Sequence, residues 1–399
     1  MAVSALRQGG PTPVRARSAV LRLYYLAVFA ALGAFVPFFP SWLQARGIRG
    51  FELGLVTGVI PLASFVGPLV FGYLADRYSL RAGLIRVACL GACLSMAALG
   101  LLGGLGQPVG LAMMLGLIAI FAFFRSPLVM VADVSALETP ADYGRLRLWG
   151  SIGFMLMAVA AGRWLDVTSA TALPLFVGTS LGAALLISGL MPARAGRAAG
   201  PVLEGVAGLL RTAHFRLFLL VTVLWCAAHS GYDLVIGRHL RDLGGQGYHV
   251  GIAWGVGVAA EIALMALSGR WLARWSATQL LSVGVGGSAL RWMLLAVCPS
   301  LNVALLLQPL HALSFGLTWL SALAFLRQHA PDQARGTAQG AFSAAAALGG
   351  STGALAWGLL YEAQGGRAVF AVAAGVALVG FGCTLALQGS VRALANPRG

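Results

Sequence analysis

Apolar residues run through this chain in blocks of about 20, the length a helix needs to cross the hydrocarbon core of a bilayer, and short polar stretches punctuate them. The pattern predicts spans over 21–43, 53–75, 82–104, 108–132, 146–165 and 171–191, and then over 215–238, 248–271, 279–298, 300–327, 336–361 and 367–389. The expected fold class is all-α and polytopic, with twelve transmembrane helices.

The two sets of six resemble one another. At an offset of 197 residues, Leu43, Gly47, Gly54, Gly58, Gly72 and Arg77 fall beside Leu240, Gly244, Gly251, Gly255, Gly269 and Arg274. That period exceeds the roughly 20 to 50 residues of a solenoid. In so apolar a chain it points to duplicated bundles facing each other across a substrate path. The expected organisation is two pseudo-symmetric six-helix bundles, 1–191 and 214–399, joined by an Ala-, Gly- and Arg-rich cytoplasmic linker over 192–213.

Composition supports this reading: 59% of residues are hydrophobic, 10% are charged and mean hydropathy is +0.85, whereas soluble chains carry roughly 25% charged residues. The net charge of +15 comes from 27 basic residues, all arginine. Most cluster in loops that share a face with the termini, among them Arg15, Arg17, Arg22, Arg77, Arg81, Arg86, Arg145, Arg194 and Arg392. Arg46, Arg49, Arg163, Arg238, Arg241 and Arg367 fall on the other face. By the positive-inside rule both termini are cytoplasmic, which predicts a multi-pass inner-membrane protein and makes the bilayer, not nucleic acid, the partner of the charge. The basic N-terminal stretch precedes an apolar run long enough to span, without a small-residue cleavage site. The five cysteines all lie in apolar spans without metal-like pairing to His, so they read as packing residues, and no cofactor or metal is expected.

Between spans 2 and 3 stands Gly72-Tyr-Leu-Ala-Asp76-Arg77-Tyr-Ser-Leu-Arg81, which resembles the signature of the major facilitator superfamily at that place. Ser79 replaces the family's glycine. The resemblance implies that Asp76, Arg77 and Arg81 form a conformational latch, with a carboxylate that accepts from helix N-termini and pairs with Arg. In the second half Ala273 stands where Asp76 would fall, so the latch is asymmetric. A second stretch, Asp142-Tyr-Gly-Arg145-Leu-Arg147-Leu-Trp149-Gly150-Ser151-Ile-Gly153-Phe154, resembles the start of span 5 in the phenylpropionate permease branch, whose relatives include lactose permease and nucleoside proton symporters. His229-Ser-Gly-Tyr232-Asp233 and Arg335-Gly-Thr-Ala-Gln339-Gly resemble that branch less tightly.

A charged side chain at the centre of a span costs roughly 2.5 to 3.5 kcal/mol on insertion scales, so intramembrane polar residues are the functional candidates. They are Arg125, Asp133, Arg147, His229, Asp233, Glu261, Arg291 and His311. Glu261, in the run Val258-Ala-Ala-Glu261-Ile-Ala-Leu-Met, is the leading candidate to carry a coupling proton, and Glu261 with Arg291 is the first pair the charges suggest. The resemblance to lactose permease implies proton coupling and sugar-binding roles for Glu261, Arg291 and His311. Those relatives place a carboxylate one turn after the His, and here Ser314 stands there. Asp233 joins the coupling set. Arg125 and Arg147 lead the expected substrate set, since a guanidinium offers paired donors to a carboxylate, and His229 and Tyr232 join it from span 7; the resemblance to lactose permease implies sugar-binding and cavity places for Arg147, Ser151 and Phe154. The aromatics Tyr24, Tyr25, Phe35, Phe38, Phe39 and Trp42 read mainly as core or interface residues, with the lining of an apolar pocket as the alternative for some of them.

No HExxH, GxSxG or paired Cys and His with ligand spacing is found, which argues against an enzyme. A receptor would be expected to add a sizeable soluble domain, and no ATP motif appears. The reading is a monomeric proton-coupled symporter that imports a small organic solute by alternating access. The branch resemblance favours an aromatic carboxylic acid such as phenylpropionate; sugar or nucleoside symport and drug efflux are the alternatives.

Overall fold

The computed structural model describes residues 11–78, 81–104, 110–137, 139, 143–168, 172–191, 206–331 and 334–395. Helices follow the apolar blocks because a backbone in hydrocarbon must satisfy its polar groups within its own segment. The first six are α1 (Pro11–Gln44), α2 (Gly50–Tyr78), α3 (Arg81–Gly104), α4 (Leu111–Leu137), α5 (Tyr143–Val167) and α6 (Leu173–Ser188). A short α7 (Val206–Arg211) leads into α8 (Ala213–Asp242), α9 (Gly247–Leu272), α10 (Ala277–Val297), α11 (Leu301–Leu306), α12 (Thr318–His329) and α13 (Arg335–Ala395).

Ten of these segments are long and apolar enough to cross a membrane, counting Leu301–His329 as one. The shorter α6 adds a crossing, and α13 is long enough for two. It folds back at Gly365, whose φ of 76° is a left-handed value that favours glycine. Twelve crossings result, as the apolar blocks predict, and the start of α1 and the end of α13 lie at the same face. Of the expected linker, residues 192–205 lie outside the described residues.

In the first bundle α1 packs on α5 and α6, α3 on α4 and α6, and α2 on α4. In the second α8 and α10 pack on α13, and α9 packs on the broken segment between α11 and α12. Tyr24, Tyr25, Phe38 and Trp42 are fully buried in the first core, in keeping with the packing role expected of them. In the second, Phe218 stacks on Phe325 with centroids 4.4 Å apart. Local start signals are present too: the Ser276 hydroxyl accepts from the Gln279 amide while the Gln279 side chain accepts from the Ser276 amide, a capping box that opens α10.

The two bundles meet along α2 with α13 and α5 with α9. Backbones approach at the ends of these helices remote from the termini: a Cβ on Gly54 would stand 2.6 Å from the Ala354 carbonyl oxygen, and one on Gly251 would overlap that of Ala158. Only glycine permits contact this close. The Asp166 carboxylate, at the end of α5, accepts the amides of Gly247 (2.6 Å) and Tyr248 (3.0 Å) at the start of α9. The seam is therefore closed at the face opposite the termini. At the terminus face, Gly72 of α2 and Gly336 of α13 look onto open space among the described residues.

Candidate functional site

Span 10 is not a regular helix. Pro309 has no N–H to donate, and the chain passes from α11 through a tight 3₁₀ turn (Gln308–Leu310) into a wide π-helical stretch (Ala312–Leu317) before α12 begins. The irregular backbone is held from outside: the Ser314 carbonyl accepts from Trp225 Nε1 (2.8 Å) and from the Ser288 hydroxyl (3.1 Å). The break turns Gln308, His311 and Ser314 toward one side chain, Arg291 of α10, which is fully buried.

Arg291 donates through Nη1 to His311 Nδ1 (3.0 Å) and to the Ser314 hydroxyl (3.0 Å), and through Nη2 to Gln308 Oε1 (2.8 Å). Its guanidinium also lies 4.2 Å from the Tyr232 ring centroid, while the Tyr232 hydroxyl donates to the same Gln308 oxygen at 2.9 Å. A guanidinium can only donate, so Nδ1 of His311 must accept, and a neutral His311 then carries its proton on Nε2. That nitrogen faces Glu261 Oε2 at 3.7 Å. The expectation that Glu261 pairs with Arg291 is thus corrected: among the described residues the carboxylate meets His311, because the break in span 10 inserts the imidazole between the two charges. The close pass of α9 over span 10 depends on Gly316, where a Cβ would stand 2.9 Å from Glu261 Cγ. Ser314, in the place of the relatives' carboxylate, serves as an acceptor for Arg291.

In the first bundle the geometry is simpler. Asp133 accepts from the Tyr25 hydroxyl (2.6 Å) and lies 3.7 Å from Arg147 Nε, both charged side chains being 32% exposed. Arg147 also stands over the Phe29 ring, 4.0 Å from its centroid. Ser151 lies one turn further along α5 and is half-buried. Phe154 reaches across the seam to Trp254, with centroids 6.0 Å apart. Arg125 sits apart from Arg147, donating to the Ser64 hydroxyl of α2 at 3.1 Å while its Nε finds no partner among the described residues.

His229 and Asp233, one turn apart on α8, form a second imidazole and carboxylate pair at 3.8 Å. The rings of His229 and His311 lie 5.7 Å apart, so this pair adjoins the Arg291 cluster. The other side of Asp233 opens into a cavity of about 150 Å³ between the bundles, lined by α1, α2, α8 and α13. Phe35 and Phe39, read from sequence as core, are buried and also form its wall. Of the expected latch, Arg77 is exposed at the end of α2, and the side chains of Asp76 and Arg81 lie outside the described residues.

The sequence reading places three participants outside the site. Gln308 and Tyr25 are neutral, so a search for intramembrane charge passes over them. Asp166 sits at a span end like any loop carboxylate, and its partners lie 81 and 82 residues away.

A twelve-helix duplicated bundle with a polar cluster buried in its second half, next to a carboxylate that faces the cavity between the halves, is the architecture of a membrane transporter. The sequence pattern of the MFS_1 like family matches residues 19–372, and the chain belongs to that family. It is 30% identical to the maltose permease of Geobacillus stearothermophilus over 339 residues, 82% of this chain and 84% of that one. It is 29% identical to the probable 3-phenylpropionic acid transporter of Escherichia coli (strain K12) over 370 residues, 90% and 94% of the two chains. Among solved structures, that of the nucleoside transporter NupG superposes with a TM-score of 0.80 at 15% identity, covering 93% of this chain and 98% of that one. The protein is a multi-pass transporter of the MFS type.

Proposed function

We propose that the protein is a proton-coupled symporter that brings a small organic solute into the cell, with an aromatic carboxylic acid as its cargo. It resides as a monomer in the inner membrane with both termini cytoplasmic, as the arginine distribution indicates. On that orientation the closed end of the seam is the outer one, and transport proceeds by rocking of 1–191 against 214–399 about the linker.

The observation that carries the coupling is the placement of His311 between Glu261 and Arg291. A proton on Glu261 leaves the carboxyl neutral, while its loss leaves a carboxylate that draws on the Nε2 proton of His311 and, through the ring, on Arg291. Protonation at Glu261 is thereby felt at Tyr232 and Gln308, which share the Arg291 cluster. Arg147 and Arg125 receive the acid end of the cargo, with Ser151, Phe154, His229 and Tyr232 completing the path. Arg147 exchanges Asp133 for the substrate carboxylate. Asp76, Arg77 and Arg81 latch the cytoplasmic side when that side closes.

The likeness to a 3-phenylpropionic acid transporter along nearly the whole of both chains supports the aromatic acid. Sugar is the second reading, favoured by the maltose permease match and by the Asp133 and Arg147 pair, which together offer acceptors and donors to hydroxyls. Proteoliposomes with an imposed inward proton gradient separate the two. Labelled phenylpropionate accumulates above equilibrium and a protonophore abolishes the accumulation if the acid is the cargo; accumulation of maltose alone assigns the sugar. Accumulation of neither refutes both.

A further inference from the structure

The cavity between the bundles has a chemistry of its own. Its walls are apolar and partly aromatic, with Phe35 and Phe39 stacked at 4.4 Å between centroids and Ile60 beside them. Three polar side chains line it: Thr57, Ser230 and Asp233. Thr57 spends its hydroxyl proton on the Leu53 carbonyl (2.7 Å) and Ser230 spends its own on that of Ala227 (2.8 Å). Each therefore presents only oxygen lone pairs to the cavity. Asp233, with its side chain 46% exposed, has His229 at 3.8 Å as its sole ion-pair partner among the described residues. Ionised, it too offers only acceptors.

A pocket whose polar groups all accept selects a ligand group that donates, because an incoming carboxylate would find no donor and would lose its water. From this geometry we infer that the cavity is a subsite for a hydrogen-bond-donating substituent, a hydroxyl or an ammonium, carried on the apolar body of the cargo, and that Asp233 sets this specificity. The inference rests on the transport of an aromatic acid proposed above: the acid end goes to the arginines of the first bundle, and the opposite end of the ring enters the cavity. The aromatic wall suits either donor, since a ring face also attracts an ammonium. The cargo class this defines is the ring-hydroxylated or amine-bearing aromatic acids in preference to the bare acid.

The test is binding of four ligands to the purified full-length protein at alkaline pH: phenylpropionate and its para-hydroxy, para-aminomethyl and para-carboxy derivatives. The hydroxy or aminomethyl compound should bind about tenfold tighter than the parent, the size of one hydrogen bond to a charged group, and the para-carboxy compound at least that much more weakly. Asp233→Val should erase the gain of the hydroxy and aminomethyl compounds over the parent acid. Asp233→Asn keeps one acceptor: a gain that survives in it assigns the hydroxyl, and a gain that vanishes assigns the ammonium. Equal binding of all four ligands, a preference for the para-carboxy compound, or a gain untouched by Asp233→Val in a monodisperse protein overturns the subsite. Proton movement driven by phenylpropionate, followed in parallel, distinguishes the failures. If it persists, only the subsite falls; if it is absent and none of the four binds, the aromatic-acid reading falls and takes the subsite with it.

Discussion

His311 stands between Glu261 and Arg291, facing the carboxylate at 3.7 Å through Nε2 and accepting from the guanidinium at 3.0 Å through Nδ1. One imidazole thus separates two opposite charges that the sequence suggests as direct partners. Deleting the carboxylate's charge should uncouple the proton without dismantling the cargo site. Glu261→Gln is expected to abolish uphill accumulation while exchange of labelled for unlabelled solute continues. Both are read in the same vesicles, and wild-type accumulation in Glu261→Gln removes Glu261 from the coupling role.

Arg291 is buried with three acceptors for its N–H groups among the described residues, and its guanidinium lies 4.2 Å from the Tyr232 ring centroid. Removing the guanidinium leaves its buried neutral acceptors unsatisfied, at a cost of about 1 to 3 kcal/mol each. Arg291→Leu should therefore lower the thermal midpoint of the purified protein by several degrees, whereas Glu261→Gln, which keeps shape and one acceptor, should shift it far less. Equal losses would mean that the cluster does not act as a unit.

The two arginines of the first bundle differ in their surroundings. Arg147 has a carboxylate at 3.7 Å to exchange for a ligand, and Arg125 has a single hydroxyl partner. Arg147→Ala should weaken anionic ligands more than neutral ones, by about tenfold or more, the size of a charge-assisted hydrogen bond. Arg125→Ala should show the same preference for anions. Equal weakening of both ligand types points to damaged folding instead.

At the closed end of the seam, Asp166 holds the first turn of α9 with two hydrogen bonds across the bundles. Each bond to a charged acceptor is worth about 1.5 to 3 kcal/mol. Asp166→Asn should shift the population toward the state open on that face by about tenfold. A cysteine placed at Thr57, with the native cysteines replaced, reports the shift through faster labelling by an impermeant thiol reagent from outside. Gly251→Leu should do the same more completely, since its Cβ overlaps the Ala158 carbonyl, and it should also stop transport. Unchanged labelling in both variants would contradict the assignment of the closed face.

Fold and site were not equally legible in the sequence. The apolar blocks and the offset of 197 residues led to twelve crossings in two halves, because membrane insertion makes hydrophobicity a direct reporter of structure. Arg291, His311 and Tyr232 stand out in the sequence for a related reason: a charged or ring-polar group in an apolar run needs a partner. Which partner it takes depends on the backbone break after Gln308, and that in turn depends on one proline whose effect on direction is three-dimensional. Gln308 carries no charge and raised no flag. Asp166 is ordinary in sequence, and it becomes informative only when α5 and α9 are seen end to end. That Phe35 and Phe39 are the aromatics of α1 on the cavity wall likewise requires the packing of four helices at once.

The most direct test of the central claim is the pH of a lightly buffered suspension of de-energised cells overproducing the protein, recorded as aromatic acids, sugars and nucleosides are added in turn, with empty-vector cells as the control for weak-acid permeation. Proton symport predicts alkalinisation on addition of an aromatic acid, absent from empty-vector cells and lost in Glu261→Gln. Solute entry with no proton movement, or an acidification that requires the protein, would contradict it.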